Sequence, residues 1–374
     1  VKISISATNP CHLYPFAQEL AQQDALDCYY SGYPAWKLPA AEKLPLATHT
    51  WRTNIVYGLL KFAPAWARPE PKRLFTWQDR GFDAWVGRHL AECDFIHAMP
   101  GQALGTFRAA RRRGIRTVLN HATGPVREWV KIMEPEYRRA GLQLTDYCPY
   151  DAVYFAREDE EYALADLHCA ASTVVRDQLV GMGIAPEKIW TVPYGADPAI
   201  FHPVPRPSHD EFRIVFAGLA GLRKGIRCLL QALELAAPTA PWQLDFYGGD
   251  LPEVKGDFAA YTGKVPLHFH GAVSQRDLAA AFQQADILVL PSLEEGFGLV
   301  VPQALACGTP AIVSEAVGAK DLLRQHDNGS IFPTGDATAL AAELHWWSQN
   351  RRTFSESHSW SAPAEKLLKL SQTF

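Results

Sequence analysis

The sequence predicts an α/β protein built as two doubly wound, Rossmann-like domains facing each other across a cleft. Three observations carry that prediction. At 374 residues the chain is about two to three times an ordinary domain of ~150. Short apolar runs alternate with helical patterns along most of it, as a parallel sheet with helical crossovers requires. The alternation breaks once, at Pro193-Tyr194-Gly195-Ala196-Asp197-Pro198 and the following Pro203, Pro205, Pro207 and Ser208, and then restarts. A turn-rich, Pro-rich stretch without periodicity is what a domain boundary looks like.

In the first domain, residues 1–195, strands are expected at 1–6, 95–97, 117–120, 167–170 and 189–192. Helices fall near 15–23, 104–113 and 172–182, the second ending at the Gly114 turn. Ser172 suits the N-cap of the third, and Gly183 suits its stop. In the second domain, residues 205–354, strands are expected at 213–216, 243–247, 267–269, 287–291 and 311–314. Helices at 226–236, 276–284 and 300–306 alternate with them. Ligands of such folds bind at the carboxyl ends of the strands.

Composition excludes several classes. With 48% hydrophobic and 20% charged residues, the chain has the makings of packed cores and is no disordered protein. A net charge of −4 argues against a nucleic-acid binder, which needs a basic footprint. No run of ~18 uncharged apolar residues is present, so no spanning helix is expected. The polar stretch from Ser4 to Pro10 predicts no signal peptide. The seven cysteines are scattered, odd in number and free of C-x-x-C, which fits reduced thiols and a cytoplasmic location. Charge is uneven: residues 60–140 hold fifteen Lys/Arg against eight Asp/Glu. The block Arg108, Arg111, Arg112, Arg113 and Arg116 is either a solvated helix face or a surface for anionic lipid headgroups or an acidic acceptor.

Two segments suit an anion. The first runs Phe216-Ala217-Gly218-Leu219-Ala220-Gly221-Leu222-Arg223-Lys224-Gly225, a strand and small-residue loop with two cations before a helix. Glycine lets backbone approach a phosphate, Arg offers a planar fork and Lys a point charge. Alone, it reads equally as a cationic turn at a helix start. The second runs Pro291-Ser292-Leu293-Glu294-Glu295-Gly296-Phe297-Gly298-Leu299-Val300, with a helix from Val300 whose first amides favour an anion. Glu295 repels phosphate and suits neutral hydroxyls instead. A Gly-x-Gly loop by itself is more often a plain turn.

The second segment resembles the retaining nucleotide-sugar glycosyltransferases of family 4, which have the GT-B fold. Pro291-Ser292 and Glu295-Gly296-Phe297-Gly298-Leu299 match their hallmark, as does Ala304-Leu305-Ala306-Cys307-Gly308-Thr309-Pro310. Asp94-Phe95-Ile96-His97, Ala165-Asp166 with Ser172, Val192-Pro193-Tyr194-Gly195-Ala196-Asp197, Phe269-His270-Gly271-Ala272-Val273 and Ala285-Asp286-Ile287 follow the same order. The likeness spans roughly 94–313, and Ser359-Trp360 suits a C-terminal helix, about 355–374, crossing back to the first domain.

The resemblance implies that Lys224 holds a donor diphosphate beside Gly218 and Arg223. The amides of Gly296, Phe297, Gly298, Leu299 and Val300 would line phosphate and sugar, Glu295 would contact sugar hydroxyls, and backbone near Val273 would meet the nucleobase. His121, in Leu119-Asn120-His121-Ala122, takes the place of the family's cleft histidine, near the anomeric carbon. Three positions depart from the pattern. Gln303 stands where the family has an acidic ribose contact, and Leu219 where it has an arginine, with Arg223 the available substitute. Thr8-Asn9-Pro10 replaces the glycine pair after the first strand.

The implied activity is transfer of a sugar, with retention, from a UDP- or GDP-linked donor to a hydroxyl of a glycan or lipid-linked acceptor, in bacterial cell-surface polysaccharide synthesis. No cofactor is expected, since the nucleotide sugar is a substrate. With no Asp-x-Asp pair, and no third ligand beside His268 and His270, no metal is expected either. Rivals are a dinucleotide dehydrogenase, which lacks its G-x-G-x-x-G here, a sugar-nucleotide epimerase, and an inactive partner subunit that binds nucleotide sugar. The segment from Leu59 to Arg68 mixes apolar, aromatic and basic residues, so it either docks peripherally on an anionic membrane at its inner face or packs on its own domain.

Overall fold

The computed structural model of the protein describes residues 1–64, 70–146, 148, 150–206 and 209–374. Ala65, Trp66, Ala67 and Arg68 of the proposed docking segment, and Pro207 and Ser208 of the boundary, lie outside the described residues. The expected architecture is present: two parallel sheets, each wound on both faces by helices.

The first sheet has seven strands in the order β3-β2-β1-β4-β5-β6-β7. They are β1 (Ile3–Ala7), β2 (Leu26–Ser31), β3 (Leu46–Thr48), β4 (Phe95–Ala98), β5 (Arg116–His121), β6 (Leu167–Ala170) and β7 (Ile189–Thr191). Its helices are α1 (Leu13–Gln22), α2 (Trp51–Phe62), α3 (Pro71–His89), α4 (Leu104–Arg112), α5 (Val126–Arg139), α6 (Ala152–Leu164) and α7 (Thr173–Gly181). Strands β1, β4 and β6 are buried along their whole length, covered on both faces, and are mostly apolar, with Ser4, Ser6, His97 and His168 as the buried polar residues among them. Asp27 and Cys28 interrupt that signal in β2, and β3 is a three-residue edge strand, so neither stands out in the sequence. Ser172 caps α7 as expected, its side chain accepting from the Val175 amide.

The second sheet has six strands in the order β10-β9-β8-β11-β12-β13. These are β8 (Phe212–Ala217), β9 (Trp242–Tyr247), β10 (Leu267–Gly271), β11 (Ile287–Leu290), β12 (Ala311–Ser314) and β13 (Gly329–Phe332). Around them lie α8 (Ile226–Ala236), α9 (Lys255–Ala260), α10 (Gln275–Gln284), α11 (Val300–Ala306) and α12 (Ala337–Gln349). The last helix, α13 (Ser361–Thr373), packs on α1 of the first domain. Ala196 donates to the His358 carbonyl at 2.6 Å, and Trp360 stands edge-on to Phe16 at 5.2 Å.

The basic block lies away from the cleft. α4 starts at the carboxyl end of β4 and runs back, so Arg111, Arg112, Arg113 and Arg116 lie at the amino edge of the sheet, between α4 and the start of β5. Arg108 is ion-paired with Glu160, and Arg116 stacks over Phe374 at 4.8 Å. Among the described residues no helix is long and apolar enough to cross a membrane.

Candidate active site

In each sheet the chain reverses its direction of growth between two neighbouring strands, β1 and β4 in the first and β8 and β11 in the second. Helices leave to opposite faces there, opening a crevice beyond the carboxyl ends. The two carboxyl edges face each other, and the contacts between them are specific. The Ser172 hydroxyl donates to the Gly296 carbonyl at 2.7 Å, and Asp321 accepts from the Thr173 amide at 2.8 Å and its hydroxyl at 2.6 Å. Glu253 joins Tyr137 OH and the Leu222 amide, both at 2.8 Å.

The second-domain half is built from the loops after β8 and β11. Gly218 leaves β8 with φ +140°, and a single tight turn, Leu222–Lys224, carries both cations. Gly225 then adopts φ +69°, a left-handed conformation that suits glycine. A Cβ there would collide with the Pro291 carbonyl, so glycine also lets this turn close over the end of β11. The result is a pair of ion pairs. Lys224 Nζ meets Glu295 Oε2 directly, and Arg223 Nη1 lies 2.9 Å from Glu294 Oε2.

The two adjacent carboxylates are set differently. Burial pushes the Glu295 carboxyl up, but Lys224 and then Arg223 outweigh it and hold it below the ordinary range. For Glu294 burial prevails over Arg223, and its carboxyl is raised. Glu295 therefore stays an ionised acceptor while touching the lysine.

The loop beyond supplies the remaining candidates. Phe297 is 2% exposed and packs on Tyr194 at 4.9 Å, so its side chain is an anchor and only its backbone borders the cleft. Gly298 has φ +91°, Leu299 precedes α11, and Val300 is its first residue. Gln303 donates to Gln275 Oε1 at 3.2 Å, and Val273 stands 38% exposed beyond β10. Leu219 is 51% exposed and lines, with Arg223, Glu294, Thr123, Trp129 and Tyr150, an interdomain cavity of about 370 Å³. A hollow of about 640 Å³ between α5 and residues 142–145, 148 and 150 has neither Lys224 nor Glu295 in its lining.

His121 is placed differently from expectation. It ends β5 but turns its ring into the domain, where it is 1% exposed. Its Nε2 lies 3.0 Å from His168 Nδ1, Tyr162 stands edge-on at 5.3 Å, and Nδ1 has no partner. Burial, with His168 adding to it, holds His121 well below the ordinary imidazole value, and His168 is lowered to about 4. Both rings are neutral. What meets the second domain is the backbone that follows, Ala122 and Thr123, against Gly296.

Sequence reasoning did not single out Glu253, Asp321, Glu294 or His168 for any role. Glu294 was visible beside Glu295, whereas Glu253 and Asp321 act across the domain gap, which no local pattern reports. Among the described residues no group of three or more His, Cys, Asp or Glu could hold a metal ion, and His270 instead pairs with Asp245 at 2.6 Å.

Comparison with known proteins gives the same picture. Residues 199–367 match the family model described as Glycosyl transferases group 1. D-inositol 3-phosphate glycosyltransferase 1 of Catenulispora acidiphila is 30% identical over 210 residues, 50% of each chain. The amylovoran biosynthesis glycosyltransferase AmsK of Erwinia amylovora is 27% identical over 198 residues, 50% of this chain and 49% of its own. The chain's match thus spans about half the length of these curated relatives. Over the whole chain, sucrose-phosphate synthase from Thermosynechococcus elongatus superposes with a TM-score of 0.68 at 18% identity, covering 100% and 98% of the two chains. HepE of Anabaena, in complex with UDP and glucose, gives 0.65 at 15% identity over 100% of both. The protein therefore has the GT-B fold, and its residues 199–367 are similar to the glycosyl transferases group 1 family.

Proposed function

We propose that this protein is a retaining, metal-independent glycosyltransferase of family 4, moving a sugar from a UDP- or GDP-linked donor to a hydroxyl of a glycan or lipid-linked acceptor in bacterial cell-surface polysaccharide synthesis. The Lys224–Glu295 pair at the β8/β11 switch point, under the Gly296–Val300 backbone, carries the reading. An ammonium has three donors, so Lys224 can keep one on Glu295 and turn the others to a diphosphate. Glu295 then accepts from the hydroxyls of the attached sugar. Arg223 adds charge from a different direction than Leu219's place, Gln303 offers an amide oxygen to a ribose hydroxyl, and Val273 borders the base. Residues 1–195 with α13 form the acceptor side, and residues 205–354 form the donor side.

In the reaction the bond from the anomeric carbon to the diphosphate oxygen breaks, and the acceptor oxygen bonds to that carbon on the same face. The acceptor's proton passes to the departing phosphate oxygen. Charge grows on the diphosphate as it leaves, and Lys224, Arg223 and the loop amides are placed to stabilise it. The backbone of Ala122 and Thr123 borders the pocket around the anomeric carbon, with the His121 ring held directly behind it.

A thermal-shift screen of UDP- and GDP-sugars tests this. A donor at 100 times its Kd stabilises by about 2.7 kcal/mol, a rise on the order of 5 °C in Tm. No shift with any nucleotide sugar refutes the reading. Leu219 and Gln303 favour one alternative, a binding subunit without turnover, which would show the shift but release no nucleoside diphosphate with any acceptor.

The acceptor side also has a surface suited to an anionic membrane. On α2, Trp51, Ile55 and Phe62 are exposed, Phe62 by 77%, and Arg52 and Lys61 flank them. Apolar insertion with adjacent cations is the pattern of a peripheral contact. The protein is expected to sediment with phosphatidylglycerol vesicles and not with phosphatidylcholine ones, and Trp51→Glu with Phe62→Glu to abolish it. Equal recovery in the supernatant with both lipids would discard the membrane contact.

A further inference from the structure

A cationic hollow of about 450 Å³ lies on the outer flank of the first domain, between the start of α2 and the latter half of α3. It is well separated from the donor half. Helix α2 follows the edge strand β3, which stands four places from β5, about 19 Å across the strand spacings, and the residues after β5 are the ones that touch Gly296. Three arginines line the hollow, Arg52 of α2 with Arg80 and Arg88 of α3, and no Asp or Glu is among the described residues around it. Neither Arg80 nor Arg88 has a hydrogen-bond or ion-pair partner among the described residues. Elsewhere in the domain the pattern differs, since Arg108, Arg127 and Arg157 each face a carboxylate. Three like charges in one hollow without a counterion repel each other and attract an anion.

Arg52 is fixed before any ligand arrives. Its guanidinium lies over the Trp51 and Trp77 rings, at 5.0 and 4.5 Å, and Nη1 donates to the Trp77 carbonyl at 2.7 Å. Gly81 makes room for it. A Cβ there would run into the guanidinium itself, which gives a reason for a glycine inside a helix that glycine otherwise only weakens. Gly81 and Ala84, small and three positions apart on α3, also keep the floor of the hollow open. Trp51 and Trp85 wall it, and His49 stacks on Trp85 at 4.9 Å. Burial, with Arg52 and His89 adding to it, lowers His49, so that ring is neutral and the charge belongs to the arginines.

We propose that this hollow is an anion site separate from the donor cleft, and that it takes a phosphoryl group on Arg52, Arg80 and Arg88 with the rest of the ligand against Trp51 and Trp85. A guanidinium presents paired N–H donors that match two phosphate oxygens, and an indole face suits a sugar ring or a glycerol backbone. Two sources carry this chemistry: a soluble sugar phosphate, and a lipid headgroup beside the exposed Trp51 face of α2. The inference goes beyond sugar transfer and does not depend on it.

The test titrates the full chain calorimetrically with glucose 6-phosphate, glycerol 3-phosphate and glucose, and sediments it with phosphatidylglycerol or phosphatidylcholine vesicles. A phosphate probe is expected to bind with a Kd below about 1 mM, in solution or on phosphatidylglycerol, whereas glucose and phosphatidylcholine are not bound. Arg80→Gln with Arg88→Gln is expected to weaken that binding about tenfold or more and to leave nucleotide affinity within about threefold. Arg111→Gln with Arg112→Gln makes the same charge change at the amino edge of the sheet and should cost less than about threefold. Gly81→Ala alters no charge but displaces Arg52, and should cost about fivefold. Loss read in the calorimeter identifies a soluble phosphate as the ligand, and loss read on vesicles alone identifies a headgroup. No phosphate bound in either arm overturns the proposal. So does binding that Arg80→Gln with Arg88→Gln or Gly81→Ala leaves unchanged, or an equal loss with Arg111→Gln and Arg112→Gln.

Discussion

Replacing Lys224 by alanine is expected to lower kcat/KM by about 10²–10³, or roughly 3–4 kcal/mol of transition-state stabilisation. The charge that grows on a departing diphosphate has few partners here. On the proposed reading Lys224 and Arg223 are the two cations beside it, each paired with a carboxylate of the same loop, and Leu219 supplies none, so losing Lys224 removes half of that charge. The same change leaves Glu295, 8% exposed, without its ion-pair partner. Removing one member of a buried pair costs about 3–5 kcal/mol, because the remaining charge is uncompensated. Arg223 also lowers the Glu295 carboxyl, so the loss belongs at the small end of that range. Stability and catalysis would then fall together, and a double variant separates them. Lys224→Ala with Glu295→Gln removes the orphaned charge and is expected to recover most of the Tm and none of the turnover. Turnover that returns along with Tm would mean that neither the Lys224 charge nor the Glu295 carboxylate acts on the donor, and that the single change slowed transfer by destabilising the fold.

How much of this was legible in the sequence follows from where the information sits. Strand β11 is a continuous apolar run and β12 nearly so, because parallel strands are covered on both faces, whereas β4 and β6 each carry one buried histidine, His97 and His168, in an otherwise apolar run. Helix α3 is harder to see: Gln78 lies in its buried stripe with Leu74, Phe82 and Val86, and breaks an otherwise regular apolar pattern. The second-domain candidates were readable because they lie in two short segments. The contacts between the domains were not, because Tyr137 and Glu253, and Thr173 and Asp321, come from distant parts of the chain and meet only in the fold. His121 shows the limit of a motif: its place at the end of β5 was foreseen, but the direction of its ring depends on His168, 47 positions away.

Gly296→Ala is expected to cut kcat/KM by about 10² while nucleotide affinity changes less than threefold. The argument is steric. A Cβ on Gly296 would overlap the Ala122 carbonyl and the Thr123 Cα, which are backbone atoms of the other domain and cannot rotate aside. Retreat in the opposite direction is blocked, since Gly318 already passes so close to the Gly296 carbonyl that it tolerates no side chain of its own. The domains would have to separate by about 1 Å to restore an ordinary contact, and a misplacement of that size costs on the order of 10² in rate. Nucleotide binding escapes because Lys224, Glu295 and the loop amides all belong to the second domain and move together. Ser172→Ala provides the graded comparison. It removes the 2.7 Å hydrogen bond to the Gly296 carbonyl, loosening the same contact without a clash, and also the α7 N-cap, a loss read separately in Tm. Its cost should be near 1 kcal/mol, about fivefold in kcat/KM. If Gly296→Ala instead weakened nucleotide binding as much as it slowed turnover, the contact would be shaping the donor site alone, and alignment of the two domains would not be what limits transfer.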